Sequence, residues 1–361
     1  MITRRPLVVS LACVALLGAI AVPALHLKLG LPDDGSKPTS TTERRAYDLL
    51  ASGFGPGFAG TLTGVVEAPG LSASEREELA NGIIEDLEGT PGVAAVSPAV
   101  HNSGGDVAVV TVTPESGPAS DATKDLVELL RSKADEIPES AGVTAYVTGT
   151  TALNIDTSDR LSAALPRYIA VVVGLALFLL MVVFRSILVP VKAVGGFLLS
   201  IAASMGLTVF VFQDGHFGDL FSVAQAGPIV SFLPVLMIGI LFGLAMDYEV
   251  FLVSRMRENY VRSGRPRESV IKGFGQSGRV VTAAALIMTA VFGAFILDTD
   301  PVIKSIGLAL AFGVLADAFV VRMTLVPAVM ALLGRRAWWM PKRVQKLVPN
   351  LDVEGERLAT T

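Results

Sequence analysis

Charge is scarce in this 361-residue chain. Only 17% of its residues are Asp, Glu, Lys or Arg, against about 25% in ordinary soluble domains, which argues against a single soluble globule. Cysteine is nearly absent: Cys13 stands alone, so an intramolecular disulfide and a Cys-rich metal site are both excluded. The three histidines, His26, His101 and His216, lie far apart in sequence and suggest no ligand cluster. There is no basic excess either. Twenty-nine Lys and Arg face 33 Asp and Glu, a net charge of −4, so general nucleic-acid affinity is not expected. Apolar residues are abundant instead. At 52% hydrophobic content the chain is too apolar for intrinsic disorder, and a membrane protein remains.

A spanning helix needs about 20 mostly apolar residues. Residues 7–27 and 168–184 carry no charge, and 186–212 carry only Lys192. Residues 220–246 and 280–297 are charge-free, and 305–334 are interrupted only by Asp317 and Arg322. The count is six spans. Arg4 and Arg5 before the first run also fit a signal peptide; its 21-residue length favours a retained helix. Seven basic residues lie in 255–279 against two acidic ones, whereas 213–227 holds Asp214 and Asp219 and no Lys or Arg. By the positive-inside rule both termini are expected on the cytoplasmic side.

The hydrophilic stretch 28–165 then lies outside the cell. Strand patterns fall at 61–67, 93–100, 107–113 and 143–148, and helical patterns at 72–88 and 120–136. Asn102-Ser103-Gly104-Gly105 reads as a hairpin turn. The order β-α-β-β-α-β is that of a ferredoxin-like unit. Residues 150–166 look helical and lead into the second span. The expected organisation is a first transmembrane helix at 1–27, the outer α+β domain at 28–165, a five-helix membrane bundle at 166–334 and a cytoplasmic tail at 335–361.

Several patterns carry no chemistry. Gly55 to Gly60 matches GxGxxG, but a helical pattern precedes it and a strand follows, the reverse of a dinucleotide site. Residues 30–37 approach a phosphate-binding loop but end Gly-Ser-Lys. Both read as turns, and no ATP site is evident. Asn154, Asp156 and Asp159 read as solvated helix surface ahead of metal ligands. Gly239 and Gly243 form a GxxxG pair that supports close helix packing. No nucleophile–base pair appears, so an enzyme is not expected, and no cofactor is implied.

Ionisable groups inside spans are costly and mark function by default. Asp247 lies eight residues before Arg255, about 12 Å along a helix and close to the middle of a ~30 Å apolar core. Burial there favours the neutral carboxyl, which can take up and release a proton as water access alternates. Tyr248 is adjacent and can orient or relay through its hydroxyl. Glu249 falls on a different helix face, at a possible helix contact. Asp317 and Arg322 are five residues apart, about 140° around a regular helix, so each is expected to need a partner elsewhere. Relay and structural roles stay open for both. Lys192 reads as an anchor that snorkels to the inner surface.

Phe242-Gly-Leu-Ala-Met-Asp247-Tyr248-Glu-Val-Phe-Leu-Val-Ser-Arg255-Met-Arg257-Glu258 closely resembles the tenth-helix signature of the MMPL transporters, the mycobacterial membrane protein Large group of the resistance–nodulation–division superfamily. Arg5-Pro6-Leu7, the stretch from Phe54 to Phe58, Leu315-Ala-Asp317-Ala-Phe-Val-Val-Arg322 and Gly334-Arg-Arg-Ala-Trp-Trp339 also look like that family's second half. The resemblance implies a proton-motive-force-driven exporter of lipids, siderophores or hydrophobic drugs in a bacterial plasma membrane. It implies a proton relay at Asp247 and Tyr248, with support from Asp317 and Arg322, and makes the outer unit a porter domain. Family members have two such halves with twelve spans. This chain reads as the C-terminal half, so its expected partners are protons, a lipid or hydrophobic substrate, and a matching N-terminal half or a second copy of itself. The alternative is a non-transporting scaffold or a lipid-binding remnant of a truncated transporter.

Overall fold

A computed structural model describes residues 4–137, 142–221, 223 and 225–341. The chain divides into two compact units. One comprises Met1–Leu27, Ala163–Phe217 and Phe232–Thr361; the other comprises Lys28–Ser162 and Gly218–Ser231. Most of the expected tail, 342–361, lies outside the described residues, as does Pro138, at which the second outer helix was expected to stop.

The first unit is helical. Six helices of the chain are long and apolar enough to cross a membrane: Pro6–His26, Thr150–Phe184, Leu188–Gln213, Leu233–Ser263, Pro266–Leu297 and Pro301–Trp338. They are called the first to sixth spans below. The third and sixth are the most enclosed. The third owes this to small residues, since Ala193, Gly196, Ser200, Ala203, Ser204 and Gly206 are all buried and let neighbouring backbones come close. At Gly206 a Cβ would overlap the Ile20 carbonyl oxygen, so only glycine lets the first and third spans pack at this distance. Leu17, Phe184, Leu252, Met256 and Val321 form a shared core. At the end of the second span, the Arg257 guanidinium donates to the carbonyls of Val183 and Phe184. It thereby satisfies acceptors that a helix terminus leaves open.

The second unit holds a mixed structure. Strands β1 (Leu29–Gly30), β2 (Leu62–Glu67), β3 (Val93–Val96), β4 (Val100–His101), β5 (Val107–Pro114), β6 (Thr144–Thr148) and β7 (Ile229–Val230) form two sheets. The larger is antiparallel with order β3-β5-β2-β6, and β4 pairs with β5. Helix Ala73–Glu88 connects β2 to β3, and helix Asp121–Asp135 connects β5 to β6. Both begin on the residue types that capping requires. Ser72 accepts from the Glu75 amide while the Glu75 carboxylate accepts from the Ser72 amide, a complete capping box. Ser120 accepts from the Thr123 amide. Buried Leu62, Val112, Leu126 and Val127 join sheet to helix, each contributing about 1.5–3 kcal/mol by leaving water.

Two details differ from the sequence expectation. The strand expected at 93–100 is split, because Pro98 has no amide to donate to the ladder; Ser97 bridges the gap through its amide to the Thr111 carbonyl at 2.8 Å. The hairpin turn at 102–105 therefore joins β4 to β5, closed by the Gly105 amide on the Asn102 carbonyl at 3.0 Å. The second sheet was not anticipated: β1 pairs in parallel with β7, Leu29 with Ile229 and Gly30 with Val230. Asp156 and Asp159, read above as solvated helix surface ahead of metal ligands, pair with Arg131 at 2.5 Å and Lys124 at 2.6 Å.

Candidate functional site

Four charged residues from three spans meet inside the first unit. Lys192 comes from the third span, Glu249 from the fourth, and Asp317 and Arg322 from the sixth. All four side chains are buried. Lys192 Nζ donates to Glu249 Oε1 at 2.7 Å. Arg322 Nη1 donates to Glu249 Oε2, and Arg322 Nε donates to Asp317 Oδ2 at 3.1 Å. A bare charge in an apolar interior costs tens of kcal/mol by ion solvation. Two cations against two anions make the group formally neutral as a whole, which reduces the cost of holding it away from water.

The pairing of Asp317 with Arg322 corrects the sequence expectation. The five-residue spacing separates the two on a regular α-helix, but Ala316–Leu325 is π-helical. Each turn there holds an extra residue, so positions i and i+5 stack. The Val326 amide accordingly donates to the Val321 carbonyl, and Thr324 Oγ1 donates to the Phe319 carbonyl at 2.9 Å. Asp317 and Arg322 thus share one face of the helix. Lys192 is a second correction. It does not snorkel to a surface, because Glu249 lies within reach on the adjoining span and holds it inside.

The Glu249–Lys192 pair was missed as part of the site. Charge counting could have found it: deep in the spans, two cations and three carboxylates cannot all be buried unless four of them pair and the fifth stays solvated. The fifth is Asp247.

Asp247 is exposed and Tyr248 half-buried. Neither joins the hydrogen bonds of the buried cluster, which link Asp317 and Arg322 to Glu249 and Lys192. Asp247 sits on an outward stripe of the fourth span with Gly239, Ile240, Gly243 and Phe251, all exposed. Gly239, Gly243 and Asp247 are spaced i, i+4, i+8 and so lie on one helix face. The GxxxG pair was expected to pack helices closely. Within the chain it does little of this: a Cβ on Gly239 would meet only the Tyr168 hydroxyl, and one on Gly243 would meet nothing within 4 Å. A carboxylate midway along a 31-residue apolar helix faces outward beside two glycines.

Six apolar helices, a neutral buried charge cluster and a lone carboxylate on an open helix face define a helical membrane protein with polar machinery at mid-span. The chain belongs to the MMPL family, whose model matches residues 57–349. It is 50% identical over 357 residues to the membrane protein YdfJ of Bacillus subtilis, an alignment covering 99% of this chain and 49% of the relative. It is 33% identical over 358 residues to the mycolic acid-containing lipids exporter MmpL11 of Mycolicibacterium smegmatis, covering 98% of this chain and 37% of that protein. This chain thus spans half or less of the length of these curated relatives. Among solved structures, the crystal structure of SecDF in super-membrane-facing form aligns with 96% of this chain and 39% of its own, at 16% identity and a TM-score of 0.43.

Proposed function

We propose that this chain is one half of a proton-motive-force-driven exporter of lipids or other hydrophobic molecules in a bacterial plasma membrane. The observation that carries the reading is Asp247. An ionisable group in lipid is costly, so its open face belongs against a partner or a water-filled path. The adjoining Gly239 and Gly243 suit close approach of another helix. The partner is a matching N-terminal half, with a second copy of this chain as the other candidate. Asp247 takes and releases the proton as access alternates, and Tyr248 orients or relays it. Asp317 and Arg322 support the relay from the buried cluster.

The strand order and two crossing helices of the second unit support a ferredoxin-like porter domain on the outer side. The basic loop at 255–279 favours cytoplasmic termini. The lipid class of substrate is supported by the name of the M. smegmatis relative. No enzymatic step is assigned.

The test is efflux of a fluorescent lipid from proteoliposomes holding this chain and a matching half. Efflux should follow an imposed pH gradient and stop when a protonophore collapses it. Efflux that ignores the gradient would overturn proton coupling. No efflux from a correctly inserted, assembled pair would favour the scaffold reading.

A further inference from the structure

The Arg322 fork is only half used on Asp317. Nε and Nη2 lie on the same edge of a guanidinium, and two parallel donors there match the two oxygens of a carboxylate. Here Nε reaches Asp317 Oδ2 at 3.1 Å. Nη2 and Asp317 Oδ1 are buried and have no hydrogen-bond partner among the described residues. An orphaned donor and an orphaned acceptor on adjoining groups are expensive. On the opposite edge Nη1 is tied to Glu249 Oε2. Glu249 is tied in turn to Lys192 through Oε1 at 2.7 Å.

We infer that Lys192 and Glu249 are a positioning pair that holds Arg322 on Oδ2 alone and leaves Oδ1 of Asp317 as the protonatable atom of the buried cluster, a second site beside Asp247. The inference rests on the reading that this cluster takes part in proton movement. Glu249 has both oxygens engaged by cations, so it stays ionised and does not carry the proton. In the step, hydronium gives a proton to Asp317 Oδ1, a new O–H bond forms, and water remains. The cluster passes from neutral to a single positive charge, which weakens the hold of Arg322 on Asp317. Loss of the proton to water restores the starting state. The transferable charge thus sits on one oxygen whose neighbour is already fixed in space.

The first, third, fourth and fifth spans and the flanking turns of the sixth pack against Ala316–Leu325. The first span offers Cys13 and no charged side chain before His26. The third offers Lys192, and the fourth Asp247, Tyr248 and Glu249. The fifth offers Arg279, which is exposed. On the sixth, Lys304 and Arg335 are each thirteen residues away from the nearer cluster member, about 20 Å along a helix. Glu249 is therefore the group bonded to the Arg322–Asp317 pair, and Lys192 is bonded to Glu249.

The test is pH-difference infrared spectroscopy of the full chain in vesicles of phosphatidylethanolamine and phosphatidylglycerol, following the protonated carboxyl C=O band. An Asp247→Asn background removes that residue's signal. The band should vanish with Asp317→Asn and persist with Glu249→Gln. In Glu249→Gln its midpoint should move to lower pH by about one unit or more, because Arg322 is then free to grip both oxygens of Asp317 and favour the ionised form. Lys192→Arg should leave the midpoint in place. If Glu249→Gln fails to insert, Lys192→Met combined with Glu249→Gln keeps the cluster neutral and should show the same downward shift. A band that survives Asp317→Asn and is lost with Glu249→Gln would assign the proton to Glu249 and overturn the inference. An unmoved midpoint in both the single and the double variant would overturn the positioning role. The measurement needs neither a partner half nor a substrate, so its failure is distinct from a failure of proton-coupled export.

Discussion

Arg322 is fully buried and serves two carboxylates, those of Glu249 and Asp317. Replacing it with Gln leaves Glu249 with Lys192 alone and Asp317 with no cation. Breaking a buried pair in this way typically costs about 3–5 kcal/mol. Arg322→Gln should therefore lower the thermal unfolding midpoint of the detergent-solubilised protein markedly. Arg322→Gln combined with Asp317→Asn, which removes one charge of each sign, should recover part of the loss. Equal midpoints for the single variant and the wild type would mean the cluster is solvated. At this scale the sequence was legible in part. Asp247, Asp317 and Arg322 stand out as charges in apolar runs, but the pairing of the last two was hidden. A fixed 100° per residue separates them, and only the π-helical turn brings them into register.

Helix and strand positions follow local chemistry closely in some places and not in others. Ser72 and Ser120 mark the starts of the two outer helices to the residue, because a capping side chain next to an amphipathic run has few other uses. The Ser72 cap holds the Glu75 carboxyl below its usual range through hydrogen bonds from the Ser72 side chain and backbone. With the native value lowered, this support is present at neutral pH and is lost as pH falls through that lowered value. Ser72→Ala should cost about 1 kcal/mol, seen as faster amide exchange in the first turn of Ala73–Glu88, and should flatten the acid dependence of that exchange. The β1–β7 pairing had no such signal, since two residues at each of two sites 200 positions apart leave no periodicity to read. Gly206 is the corresponding case among the spans. Its need for hydrogen in place of a side chain comes from the Ile20 backbone, distant in sequence. Gly206→Leu should separate the first and third spans and reduce the yield of folded, monodisperse protein, whereas the same change at Gly243, which meets nothing within 4 Å, should leave the chain's own folding intact.

At the scale of the whole molecule, the stripe of the fourth span that carries Asp247 is a face left uncovered by the chain's own packing. Glu249 faces inward and Asp247 outward because two residues turn about 200° around a helix. Under the proposed reading, a carboxylate with two glycines on an apolar face suits the approach of a partner helix. With Cys13 replaced by Ala, a Gly243→Cys variant should cross-link to the matching half when the two are expressed together. Cross-linking only to a second copy would select the homodimer. No cross-link in an assembled pair would remove this face from the interface.

The most direct test of the proposed relay is dissipation of a pH gradient in proteoliposomes carrying this chain with its matching half. Wild-type pairs should dissipate the gradient when substrate is present. Pairs with Asp247→Asn should insert and assemble at the same yield and lose proton flux. Undiminished flux through the Asp247→Asn pair would contradict the account.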